Sequence, residues 1–109
     1  MNELIREFQT PNFTIRVEAQ PEYDLDLSWD ETGETRNMLE RGEWIAFCAK
    51  ASVIHHGAEI ATDYLGECIY RNLEEFASGA YCRDMISIVC AEARAALLAD
   101  RNIYLRTTA

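Results

Sequence analysis

The chain has 109 residues, 49% hydrophobic and 27% charged, with 19 acidic against 10 basic side chains and a formal net charge of −9. That length and balance fit one globular domain over residues 1–109 and exclude a disordered chain, while an acidic excess without any basic patch argues against direct DNA or RNA binding. No apolar run is long enough to span a bilayer and Met1–Thr10 lacks a secretory apolar segment, so the expectation is a soluble protein of the cytoplasm, fraying over 1–10 and 102–109.

Phe13 to Ala19 alternates, with Phe13, Ile15 and Val17 on one side and Thr14, Arg16 and Glu18 on the other, the period of a half-buried strand. Pro21 ends it. Tyr23, Leu25 and Leu27 then alternate with Glu22, Asp24 and Asp26; if this piece is extended, its acids form a row spaced by about 6.8 Å. Asp30-Glu31-Thr32-Gly33 reads as a turn, and Thr35 to Arg41 as a short helix stopped by Gly42. Trp44 to Ile54 is the clearest strand, with Ile45, Phe47, Ala49, Ala51 and Val53 on one apolar face. A turn at His55-His56-Gly57-Ala58 and a return strand from Glu59 to Leu65 complete a β-hairpin centred on Gly57.

Gly66 breaks or bulges that strand, and a helical turn follows over Asn72 to Phe76, closed by Gly79. From Ala80 to Asp100 the period is helical: Cys82, Ile86, Val89, Ala93 and Leu97 recur three and four residues apart. A second stripe of Tyr81, Met85, Ile88, Ala95 and Leu98 widens the apolar face beyond what one sheet needs. The predicted architecture is α+β in two layers: a three- or four-stranded antiparallel sheet packed by one long C-terminal helix, plus short helices. The surplus apolar face around Met85, Ile88 and Leu98 points to a possible homodimer, or to a thicker core involving the tail, where Ile103, Tyr104 and Leu105 dock.

Catalytic signatures are scarce. There is no phosphate-binding glycine loop, no H-E-x-x-H and no local Ser–His–Asp or Cys–His signature. His55 and His56 are adjacent, and neighbours on a strand or tight turn point apart, which disfavours a shared metal. Cys48, Cys68, Cys82 and Cys90 lack C-x-x-C spacing, and their apolar neighbours read as buried free thiols of a reducing compartment. The expectation is a protein that is not an enzyme and uses neither metal nor cofactor.

What stands out is charge. Seven carboxylates fall between Val17 and Glu34, with no Lys or Arg in that stretch. Glu22, Asp24, Asp26, Asp30, Glu31 and Glu34 are the candidate contacts for a positively charged partner. Trp29 and Trp44 suit a core, and Trp29, beside the acids, also suits an interface anchor.

Three stretches carry a resemblance: Tyr23-Asp24-Leu25-Asp26-Leu27-Ser28-Trp29-Asp30, Asp63-Tyr64-Leu65-Gly66-Glu67-Cys68-Ile69-Tyr70, and Tyr81-Cys82-Arg83-Asp84-Met85 leading into Ala91-Glu92-Ala93-Arg94. Together they resemble small acidic accessory proteins of bacteriophages, prophages and plasmids. By analogy of size, charge and setting, that resemblance implies an anti-CRISPR-like inhibitor of host defence, acting in the cytoplasm of a bacterial host. Its partner would be a protein with a basic surface, such as a CRISPR effector complex. The other expectation is a homodimeric structural or regulatory module of a mobile element, whose acids serve solubility.

Overall fold

The computed structural model describes residues 2–22 and 24–108, with side chains through Ala99. Four strands, β1 (Glu3–Gln9), β2 (Thr14–Pro21), β3 (Ile45–His55) and β4 (Ala58–Tyr70), pair antiparallel in the order β1-β2-β3-β4. Helix α1 (Glu34–Glu40) lies in the long β2–β3 connection; α2 (Leu73–Ala77) and α3 (Ala80–Thr108) follow the sheet. This is the expected α+β architecture, an antiparallel sheet of four strands packed by a long C-terminal helix.

One face of the sheet is apolar because of the alternation in β2 and β3. Register places Ile15 opposite Val53, Val17 opposite Ala51 and Ala19 opposite Ala49, and all six are buried. Ala61 of β4 lies beside Val53, and Cys68 beside Phe47, extending the same surface. Against it α3 buries Cys82, Met85, Val89 and Ala93, spaced three and four apart as a helical stripe must be. α2 closes the remaining corner with Phe76, whose ring meets Phe47 edge-on at 5.4 Å and Tyr70 at 5.2 Å. Asn72 caps α2 by accepting from the Glu75 backbone N–H at 2.8 Å.

The other face is polar. Arg16 donates to Glu7 at 2.7 Å, and Lys50 lies 3.2 Å from Glu59. Ser52, in register with Thr62, is buried on this face and its hydroxyl has no hydrogen-bond partner among the described residues. The Thr62 hydroxyl donates to Glu59 and, with Lys50 beside it, keeps the Glu59 carboxyl below the usual range.

Two expectations change. The fourth strand is not the acidic segment after Pro21, where residues 24–33 run through bends and turns; it is β1, in the stretch expected to fray. A register shift between Leu4 and Arg6 explains why β1 escaped notice, since a bulge breaks the period of two and lets both Ile5 and Phe8 pack on the core. Met85, 4% exposed, belongs to the core and leaves the surplus helix face to others. The expected docking of Ile103, Tyr104 and Leu105 lies outside the described side chains.

The β3–β4 hairpin turns on Gly57, as expected. His55 and Ala58 pair, leaving His56 and Gly57 as a two-residue loop with φ of 51° and 79°. Two positive φ values define a type I′ turn, whose twist matches that of the strands it joins. A Cβ added at Gly57 meets nothing within 4 Å, so only backbone strain opposes a side chain there. Gly57→Ala is therefore expected to lower unfolding free energy by about 1 kcal/mol, and His56→Asn to raise it by a few tenths, measured by urea denaturation.

Candidate functional site

The acidic segment is a loop, and its backbone needs partners that a sheet would otherwise supply. Its own carboxylates supply several. Glu22 accepts from the Glu67 backbone N–H at 2.9 Å, and the Glu67 side chain accepts from the Asp26 N–H at 3.2 Å. These two bonds clasp the loop to β4 at its irregularity. There β3 and β4 slip register between Phe47 and Ala49, and Glu67 takes a positive φ of 53°. The Glu22 carboxylate also adds to the upward shift of the Cys48 thiol, which burial dominates.

Further along, Asp26 Oδ1 accepts from the Ser28 N–H at 2.9 Å, closing an Asx turn, and this bond holds its carboxyl below the usual range. The indole N–H of Trp29 donates to the Asp26 carbonyl at 2.9 Å. Asp30 does the work of a helix cap. Gly33, the residue before α1, has no side chain to offer, and the Asp30 carboxylate instead accepts from the N–H groups of Thr35 at 3.4 Å and Arg36 at 3.1 Å. Negative charge at this end also suits the helix dipole.

The seven candidate residues therefore divide. Glu22, Asp26 and Asp30 are turned to the protein's own backbone. Asp24, Glu31 and Glu34 are exposed, and among the described residues their carboxylates make no ion pair or hydrogen bond. Trp29 is 58% exposed with its polar edge already satisfied, which corrects the core expectation for it; Trp44 is half-buried. Tyr23 lies outside the described residues. Glu67 went unrecognised in the sequence, although the bulge expected at Gly66 was the signal that a backbone N–H would turn outward beside it.

The remaining polar groups offer little chemistry. His55 Nδ1 lies 2.9 Å from the Asn12 carbonyl, which fixes its ring. The His55 and His56 rings are 4.0 Å apart; they do not point away from each other as expected, because the left-handed backbone of His56 swings its ring back. Among the described residues no three His, Cys, Asp or Glu side chains gather into a metal-binding group. All four thiols are free, and burial pushes Cys68 up to about 11 and raises Cys82, which keeps both protonated at neutral pH. Among the described residues no helix is long and apolar enough to cross a membrane.

Comparison with known proteins finds no matching family model, no matching curated protein and no matching solved structure.

Asp30→Ala is expected to cost about 1 kcal/mol of stability through the lost cap of α1, read as a lower urea midpoint. Acid should act through Asp26 and Glu59. Both have folded-state values below their ordinary 3.8 and 4.5, so the stability they confer is present above those values and is lost as pH falls through the lower folded ones. The urea midpoint is expected to drop below about pH 4.5, and the Glu59→Gln variant should lose less over the same range.

Proposed function

We propose that this protein is a non-enzymatic inhibitor of a bacterial defence system, an anti-CRISPR protein that binds the basic nucleic-acid-binding surface of an effector complex. The observation that carries this reading is the division of labour in the acidic loop. Glu22, Asp26 and Asp30, with Glu67 of β4, hold the loop in shape, and three other carboxylates, Asp24, Glu31 and Glu34, are exposed on the same connection as the exposed Trp29. A channel that binds DNA is lined with Lys and Arg, because neutralising phosphates supplies much of its affinity. Carboxylates fixed on an ordered loop meet such cations with little further loss of freedom on binding. Long-range attraction then speeds the encounter and makes it sensitive to salt.

Trp29, between these acids in the sequence, adds an exposed aromatic ring to the loop. Its indole N–H is already bonded within the loop, so the ring buries against a partner without leaving a donor unpaired. Charge together with an exposed aromatic suits a protein interface, where Trp is enriched among the residues that dominate binding.

The test is capture from a CRISPR-bearing bacterial lysate at low and high salt. The triple variant Asp24→Lys, Glu31→Lys, Glu34→Lys is expected to lose a DNA-binding effector that the natural chain retains at low salt, with unchanged circular dichroism. Retention by the variant would refute the charge-based reading. Asp26 and Asp30 are unsuitable targets because their loss disturbs the loop itself.

A further inference from the structure

The acidic connection is fixed to the rest of the molecule at two places. Among the described residues, the stretch 24–33 makes one hydrogen bond to the sheet, from the Asp26 N–H to Glu67 Oε1 at 3.2 Å. Beside it the Glu67 N–H donates to Glu22 Oε2 at 2.9 Å. Pro21 pairs with Phe47 and Phe47 with Cys68, so Glu22 reaches over the width of β3, two strand spacings or about 9.6 Å, to meet β4. On the way it passes Cys48, which lies between the buried Phe47 and Ala49 and so faces away from α3. The second fixing point is Asp30, whose carboxylate accepts from the Thr35 and Arg36 N–H groups. Between the two, the Ser28 N–H bonds to Asp26 and the Asp30 N–H to the Leu27 carbonyl, both within the connection itself.

We propose that Glu67, a residue outside the acidic segment, is the positioning residue for the first half of the acidic surface: its carboxylate holds Asp26, its N–H holds Glu22, and together they set Asp24 between them. The use of that surface rests on the inhibitor reading; what holds it in place does not. Charge alone would not assemble this clasp. Glu22, Asp26 and Glu67 are three carboxylates brought to one place, and among the described residues none of them pairs with a Lys or Arg. Like charges oppose that gathering, and the backbone N–H donors offset it. Glu67 therefore contributes as an acceptor and not as a charge, and an amide oxygen in the same position would serve as well. Glu31 and Glu34 lie beyond Asp30 in the chain and depend on that cap instead.

Hydrogen exchange at individual amides of the full chain, followed by NMR, tests it. Glu67→Ala should speed exchange at Asp26 by about tenfold or more, and leave Thr35, Arg36 and the paired amides of β2 and β3 at their natural rates. Glu67→Gln should restore the natural rate at Asp26, which a contribution through charge would not allow. Asp30→Ala should do the converse, speeding Thr35 and Arg36 and sparing Asp26. In the lysate capture at low salt, Glu67→Ala should weaken retention of the effector and Glu67→Gln should keep it. An Asp26 amide indifferent to Glu67→Ala, equal acceleration by Ala and Gln, or acceleration spread through the sheet would each overturn the proposal. Exchange that responds as expected beside capture that does not would count against the charge-based inhibitor reading and leave the positioning role standing.

Discussion

One apolar sheet face has to be covered, and among the described residues one long helix covers it. That constraint organises the molecule. The centre of the face is lined by small side chains, Ala49 and Ala51 of β3 with Ala61 of β4, so the helix can settle close to the sheet. Larger residues surround this floor: Ile15, Val17 and Val53 within the sheet, and Met85 and Val89 from α3. Phe76 fills the end that α3 leaves open, and its edge-on contacts with Phe47 and Tyr70 lock α2 beside it. The polar groups are consequently pushed to the opposite face and to the long β2–β3 connection.

In that connection, acidic residues have two kinds of use. A carboxylate accepts hydrogen bonds and donates none, so it is a natural partner for backbone N–H groups that no strand or helix satisfies. Glu22, Asp26 and Asp30 take this role at the β4 irregularity, at the Asx turn and at the start of α1. Their charge remains, adding to the field of the three acids that face water. An acid-rich loop can thereby be both ordered and strongly negative, without arginine or lysine to neutralise it.

Much of the fold was legible in the sequence. Period-two alternation marked β2 and β3, Gly57 marked the hairpin, Gly42 with a φ of 73° stopped α1, and spacings of three and four marked α3. The failures have physical causes. In β1 a bulge puts Ile5 and Phe8 on the core three residues apart, which hides the strand from any search for alternation. In 22–28 an alternation of acids with Leu25 and Leu27 occurs in a loop, because Glu22 and Asp26 are tied to Glu67 across a sequence separation that no local pattern reveals. Met85 reads equally well onto either of two adjoining helix stripes, and only the direction of the sheet assigns it. Of the candidate site, the charge was visible; which acids serve the fold was not.

The same irregularities have a consequence for how the sheet meets its surroundings. An open antiparallel sheet ends in two strands with unpaired backbone groups, an invitation to add further strands from other chains. Here β1 is interrupted between Leu4 and Arg6, and β4 is kinked at Gly66–Glu67 with the acidic loop clasped to it. Neither edge offers a long flat template, and charged residues such as Glu3, Arg6 and Glu7 line the first of them. The bulge that anchors the loop therefore also acts as a guard against fibril-like growth, so that aggregation resistance and loop order depend on the same few backbone angles.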